Sequence, residues 1–142
     1  MSQQTIRDVA RLDAVTCRPD ADALELARRM REEDIGSVVV VSDNHPIGIV
    51  TDRDLALQVV ADGVDEQREY ARELMSVLPA TIRDELGVAA AAREMDTHGV
   101  RRLPVVDKGD QLVGIVSLDD IYRELVREHE HLAEVMAAEA PD

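Results

Sequence analysis

Gly48-Ile49-Val50-Thr51-Asp52-Arg53-Asp54 and Gly114-Ile115-Val116-Ser117-Leu118-Asp119-Asp120 are one short string written twice. Around them residues 5–61 recur as residues 71–125. At an offset of 65 positions Arg7/Arg72, Thr16/Thr81, Arg18/Arg83, Ala27/Ala92, Arg28/Arg93, Met30/Met95, Val40/Val105 and Val41/Val106 coincide. One residue inserted near Gln111 moves the offset to 66, and Gly48/Gly114, Ile49/Ile115, Val50/Val116 and Asp54/Asp120 then align. A repeat of this length sets the architecture before any local reading does. The chain is one unit used twice, and its function becomes a question about paired sites.

Each copy reads as helix, extended lead-in, helix, strand, strand, helix. The lead-ins are Ala14–Arg18 and Pro79–Arg83. Asp20 or Asp22, and Asp84, are candidate N-caps for the helices that follow. Leu24, Ala27 and Met30 recur at helical spacing, as do Val88, Ala89, Ala92 and Met95 in the second copy. Gly36 and Gly99 punctuate the helix ends. Ser37-Val38-Val39-Val40-Val41 and Leu103-Pro104-Val105-Val106 have the apolar, β-branched character of strands buried on both faces. Turn residues at Asp43-Asn44-His45 and Asp107-Lys108-Gly109-Asp110 lead into second strands, Ile47–Thr51 and Leu112–Ser117. Helices Asp52–Ala61 and Leu118–Glu130 follow, the latter running on to about Ala138. Ile121, Leu125, Leu132 and Val135/Met136 give that last helix an apolar stripe, which implies packing on its own body or on a second subunit. The expected division is repeat 1 at 5–65, repeat 2 at 71–128 and a C-terminal helical extension and tail at 129–142.

Composition narrows the function classes. In 142 residues there are two Tyr and neither Phe nor Trp, so the core is built from Val, Ile, Leu, Met and Ala. Thirty acidic residues face sixteen basic ones, for a net charge of −14. Such a surface repels nucleic-acid backbone and anionic membranes. The acidity has two readings, ordinary solubility or adaptation to concentrated salt, where the Debye length shrinks to about 3 Å near 1 M. Neither an apolar run of membrane-spanning length nor a signal-peptide pattern is present, which points to the cytoplasm. The single cysteine, Cys17, excludes an intrachain disulfide and a multi-cysteine metal site.

The chemistry concentrates at the strand-to-helix turns. Thr51-x-x-Asp54 and Ser117-x-x-Asp120 have the spacing of a capping box. The same groups suit a nucleotide. Helix-start N–H groups and a hydroxyl accept phosphate, and an ionised carboxylate can take both hydroxyls of a ribose. The shared glycine, which capping does not require, argues for the second reading. So does Arg101-Arg102, a pair of planar donors suited to phosphate on an acidic chain. Gly36-Ser37 stand at the matching positions of the first copy, so the two sites differ in basicity. Enzymatic chemistry has little support: Walker and Rossmann glycine patterns are missing, and no Ser/His/Asp arrangement is evident. His129 and His131, two apart on a helix, make a poor chelate.

The two Gly-apolar-apolar-Thr/Ser-x-x-Asp strings, with Gly99-Val100-Arg101-Arg102-Leu103-Pro104-Val105-Val106, resemble the cystathionine-β-synthase (CBS) domain. From about Thr5 to about Val126 the chain is similar to a stand-alone tandem CBS pair, or Bateman module. The resemblance implies a mixed α/β (α+β) fold, a pseudo-two-fold pair of β-α-β-β-α units packed through their sheets. It also implies two clefts for adenosine-containing ligands: AMP, ADP, ATP or S-adenosylmethionine. Carried over by position, Asp54 and Asp120 would hold ribose, with Thr51 and Ser117 near the phosphates. Arg101 and Arg102 would reach phosphate. Thr16, Cys17, Thr81 and Ile82, with Ile35 and Val100, would wall the adenine, and Pro104, next to the arginine pair, is a further ligand-binding position. Cys17 is then a small apolar wall residue rather than a nucleophile. A homodimer shaped as a four-repeat disc, a regulated protein partner and no required cofactor complete the expectation. Three functions remain open: an adenylate sensor, a ligand-free interaction module, and an S-adenosylmethionine-binding pair.

Overall fold

The computed structural model describes residues 4–77 and 80–139, so Pro79 of the second lead-in and the end of the tail lie outside the described residues. Short α1 (Ile6–Val9) and β1 (Arg11–Leu12) open the chain, followed by β2 (Thr16–Cys17), α2 (Ala23–Glu33) and the hairpin β3 (Ser37–Ser42) and β4 (His45–Thr51). Helix α3 (Asp52–Leu55) follows directly and widens into a π-helical turn at Ala56–Val60. The second copy repeats the order with α4 (Ala71–Leu74), β5 (Ser76–Val77), β6 (Ile82–Arg83), α5 (Val88–His98), β7 (Arg102–Val106), β8 (Leu112–Ser117) and α6 (Leu118–Glu139).

The strands form two four-stranded sheets, in the orders β2-β3-β4-β5 and β1-β8-β7-β6. Within each copy the lead-in strand runs parallel to the first hairpin strand, with a helix crossing between them, and the hairpin is antiparallel. Both hairpins carry a register shift at equivalent places, between Val40 and Val41 and between Val105 and Val106. The residue inserted near Gln111 is taken up in the turn. Val41 pairs with Pro46 and Val106 with Leu112, so the second connection is one residue longer. Asp43 and Asn44 close the first turn at φ of 52° and 63°, a left-handed pair that Asp and Asn tolerate through their short polar side chains.

The edge strands are exchanged between copies, which the repeat did not reveal. Strand β1 of the first copy pairs with β8 of the second, and β5 of the second pairs with β4 of the first. The helices go with them. Ile6 of α1, fully buried, packs among Ile82, Ala91, Met95, Leu103, Val105, Val116 and Ile121. Ala71 and Leu74 of α4 complete the opposite core around Leu26, Met30, Val38, Val40 and Val50. Burying a side chain such as Ile6 contributes roughly 1.5–3 kcal/mol, a gain available only when both copies are folded together.

The exchange accounts for the glycine shared by the two motif strings. A Cβ at Gly114 would lie 2.6 Å from the backbone oxygen of Arg11, and one at Gly48 would run into the Met75 side chain. Each glycine admits the exchanged segment of the other copy. The glycine is therefore a packing requirement, not by itself a mark of ligand binding.

Helix ends differ from the sequence reading in two places. Asp22 caps α2, accepting from the Glu25 N–H at 2.9 Å, but Asp84 does not cap α5, whose N-cap is Gly87. Asp84 instead accepts from Arg7 Nη1 at 2.8 Å, while its backbone oxygen accepts from the Arg7 N–H. It ties down the exchanged α1. Gly99 ends α5 in the left-handed region as expected, but in α2 that role falls to Asp34 (φ 53°) rather than Gly36. In α6 only the inner part of the expected stripe packs on the body: Ile121 is buried, whereas Leu125, Leu132, Val135 and Met136 are exposed.

Two consequences can be measured. Gly114→Ala should cost about 1–3 kcal/mol in denaturant unfolding because the obstacle is backbone. Gly48→Ala should cost a similar amount: rotation can move the Met75 sulfur, but its Cβ, fixed by the backbone, would stand 2.9 Å from the new methyl. At Asp84 desolvation pushes the pKa up, but the hydrogen bonds and charge of Arg7, with the Glu85 contact, outweigh it and leave the carboxyl below its ordinary value. The pairing therefore stabilises the fold above the usual carboxyl range near pH 4 and is lost as pH falls through the depressed value. Arg7→Ala should lower stability by up to about 1 kcal/mol at pH 7. That gap should close in urea melts below about pH 4.

Candidate functional site

Both motif strings fold into capping boxes. Thr51 N–H donates to Asp54 Oδ2 at 2.8 Å and Asp54 N–H to Thr51 Oγ1 at 3.2 Å. The second copy matches this, with Ser117 N–H to Asp120 Oδ2 at 2.9 Å and Asp120 N–H to Ser117 Oγ at 3.1 Å. One carboxylate oxygen of each Asp is thus committed to starting the helix. The other differs between copies. Asp120 Oδ1 is paired with Arg123 Nη1 at 3.2 Å, whereas Asp54 Oδ1 has a longer 3.4 Å contact with Gln58 Nε2. An ionised carboxylate has acceptor capacity beyond these bonds, so capping and ligand recognition are compatible.

The Ser117–Asp120 turn opens onto a cleft of ≈ 190 Å³ between the two copies. Its apolar wall comes from Ala14, Val15, Ile35, Val39 and Ile115. Arg11, Arg102 and Arg123, with Asp119 and Asp120, supply its charge. Sheet register explains the convergence. Arg11 lies opposite Ile115 and Arg102 opposite Ser117, so three adjacent strands, β1, β8 and β7, bring two guanidinium groups beside the turn. The third comes from Arg123, one turn into α6. Three arginines against two aspartates make the cleft a locally basic spot on a chain of net charge −14.

Of the sequence-predicted site residues, the cleft collects Ile35, Arg102, Ser117 and Asp120. Thr51 and Asp54 belong to the other turn. The repeat offset puts Thr51, Asp54, Val100, Arg101 and Pro104 at positions equivalent to Ser117, Asp120, Ile35, Gly36 and Val39. The counterpart of Ala14 there is Pro79, outside the described residues. Arg101 is exposed and its carbonyl accepts from the Leu118 N–H at 2.8 Å, while Pro104 is buried and Val100 packs against the second core.

The lead-in residues are displaced from the expected wall. Ala14 and Val15 line the cleft, two positions before Thr16 and Cys17. Cys17 sits in the first core because β2 pairs in parallel with β3 and turns it inward; Ile82 does the same in the second, and Thr81 is exposed. Burial, then the nearby Glu25 charge, pushes the Cys17 thiol up to about 11, so it stays protonated and unreactive at neutral pH. Arg11 and Arg123 were not anticipated. Arg11 reaches the cleft through the strand exchange, and Arg123 stands one turn after Asp120, where the first copy has Leu57. Among the described residues, no three His, Cys, Asp or Glu side chains gather where they could hold a metal ion, and no helix is long and apolar enough to cross a membrane.

Comparison with known proteins agrees with this architecture. The chain is 42% identical over 122 residues to an uncharacterized protein of Methanopyrus kandleri, covering 85% of this chain and 62% of that one. It is 34% identical over 123 residues to Hypoxic response protein 1 of Mycobacterium tuberculosis, covering 85% of each. A crystal structure of Hypoxic Response Protein I with two coordinated zinc ions superposes with a TM-score of 0.74 at 30% identity, covering 84% of this chain and 98% of that one. The CBS domain pair of protein MJ0100, solved with 5′-methylthioadenosine and S-adenosyl-L-methionine, shares the fold with a TM-score of 0.77 at 23% identity, covering 89% and 99%. The CBS-domain family profile matches residues 6–61 and again 71–127. With two such domains in tandem, exchanged at their edges, the chain belongs to the CBS-domain family.

Proposed function

We propose that this CBS pair is a regulatory protein, not an enzyme, that takes an adenine nucleotide (AMP, ADP or ATP) between its repeats and passes the bound state to a partner protein. The observation that carries the reading is the convergence of Arg11, Arg102 and Arg123 on a cleft that also presents Ser117 and Asp120, within a strongly acidic chain. A phosphate meets three guanidinium groups able to bind it in bidentate fashion. The ribose hydroxyls meet Asp120 Oδ1, in exchange for part of its Arg123 contact. The base meets Ile35, Val39, Ile115 and the Ala14-Val15 segment. At ≈ 190 Å³ the cleft is smaller than the ~300 Å³ lower range of drug-sized pockets, so the nucleoside fills it and the phosphates lie at its arginine-lined mouth. That a CBS pair of the same fold has been solved with adenosine-containing ligands supports the ligand class.

S-adenosylmethionine is the less favoured ligand here, since its cationic sulfonium would face three arginines. The second turn, Thr51–Asp54, with Val100, Arg101 and Pro104, is proposed as a weaker pseudo-symmetric site. The working form is proposed to be a cytoplasmic homodimer that signals to a regulated protein.

A thermal-shift panel of AMP, ADP, ATP, NADH and S-adenosylmethionine tests the reading. At 100 times the dissociation constant a ligand stabilises by about 2.7 kcal/mol, which for a chain of this size is a rise of roughly 5–10 °C. Arg102→Ala and Arg11→Ala should each weaken the adenylate tenfold or more, because a charge-assisted hydrogen bond contributes about 1.5–3 kcal/mol. Asp120→Asn should weaken it while leaving an oxygen able to cap α6. A protein indifferent to every adenylate would overturn the proposal in favour of a ligand-free interaction module. Tighter binding of S-adenosylmethionine than of AMP, unchanged by Arg102→Ala, would replace the nucleotide with that ligand.

A further inference from the structure

Asp120 reaches the cleft with both of its oxygens engaged. Oδ2 accepts from the Ser117 N–H at 2.9 Å, and Oδ1 accepts from Arg123 Nη1 at 3.2 Å. The first bond starts the helix, so a ribose hydroxyl has to take or share Oδ1, where Arg123 already sits. The Asp120 side chain is 21% exposed and that of Arg123 69%, so the guanidinium is the partner that can swing away. In the first copy Leu57 stands in the place of Arg123, and Asp54 Oδ1 meets only the neutral Gln58 amide, at 3.4 Å. The other two cleft arginines are placed differently. Among the described residues neither Arg11 nor Arg102 has an ion-pair partner.

We infer that Arg123 makes the cleft selective for phosphorylated nucleosides, by covering the ribose position of Asp120 until a phosphate draws it off. This rests on the nucleotide reading above and narrows it to one ligand class, with the unphosphorylated nucleoside turned away. A nucleoside without phosphate must displace the guanidinium from Oδ1 and offers it no anion in return. It replaces a contact between two charges with one between a charge and a neutral hydroxyl, the weaker of the two. A nucleoside phosphate brings its own anion, able to take a guanidinium through two parallel N–H groups. Arg123 then passes from Asp120 to the phosphate, and Oδ1 is left to the ribose. The charge balance points the same way. With Arg123 the cleft sets three arginines against Asp119 and Asp120; without it, two face two on a chain of net charge −14. Arg123 is the margin by which the cleft attracts an anion. Its long side chain, most of it in solvent, can turn without disturbing the helix that carries it.

The test is calorimetric titration of the full chain with AMP and with adenosine, in the wild type, Arg123→Lys and Arg123→Leu, the last giving the residue that the first copy has. The wild type should bind AMP about tenfold or more tightly than adenosine. Arg123→Leu should tighten adenosine by about two- to fivefold, the strength of an exposed ion pair. The same substitution should weaken AMP by about three- to tenfold, so the preference for AMP falls by roughly an order of magnitude. Tighter adenosine binding is a gain that misfolding cannot mimic. Arg123→Lys keeps the charge without the planar fork and should hold an intermediate preference. A ratio of AMP to adenosine affinity unchanged in Arg123→Leu would overturn the inference and leave the nucleotide reading standing, as would an equal weakening of both ligands. A wild type that binds neither would overturn the nucleotide reading itself, and this inference with it.

Discussion

The structure depends on a close approach between exchanged segments, the Arg11 backbone against Gly114 and, in its counterpart, the Met75 side chain against Gly48. The leading helix and edge strand of each copy cross over and complete the other copy's sheet and core. Neither copy could bury its core alone: the second lacks Ile6 and the first lacks Ala71 and Leu74 until the chain has folded on itself. A glycine is needed at both places because a Cβ would meet the exchanged segment of the other copy. Pairing through β1 then puts Arg11 beside Ile115, and the same crossover carries Ala14 and Val15 past the opening between the copies. The candidate site is a by-product of how the two halves hold one another.

The strand-to-helix turns have two uses for the same atoms. Asp54 and Asp120 each spend one oxygen on the capping box. A purely structural cap would need nothing more, and in the first copy little more is described. In the second, the remaining Asp120 oxygen faces Arg123, and Arg102 and Arg11 stand across the neighbouring strands. Duplication preserved the frame, while the charges around it diverged: Arg102 corresponds to Ser37, Arg123 to Leu57, Arg11 to Ser76. Helix α6 joins this cleft to the surface, since its first turns carry Asp119, Asp120 and Arg123 and its later turns carry the exposed Leu125, Leu132 and Met136.

Much of this was legible in the residues. The doubled string and its offset implied two equivalent halves, and the Val-rich runs, turn residues and helical spacings placed the main elements close to where they lie. The resemblance to the CBS domain rested on the same strings. These are local or periodic features, and the chain carries them without reference to its folded shape. Of the residues that line the cleft, Asp120, Ser117 and Arg102 sit within those strings, and Ile35 is the first-copy counterpart of Val100 in one of them.

The remaining features were decided by tertiary structure, because they depend on which segments meet. Two-residue strands such as β1 and β5 have no periodicity to read, so their exchange was hidden, and Arg11 was hidden with them. The motif glycine looked like a functional mark until its neighbour across the sheet was known. Asp84 has a cap's spacing, but Arg7, far away in sequence, claims it. Cys17 and Ile82 face the cores rather than the cleft because parallel pairing sets which side of a strand is inside. The spacing of Leu125, Leu132 and Met136 was visible as an apolar stripe; that the described residues leave it exposed is a fact of the folded molecule. By itself the sequence determined the repeat, its elements and its family. Contacts between distant segments, set by packing rather than by local preference, decided where the candidate cleft lies and which charges surround it.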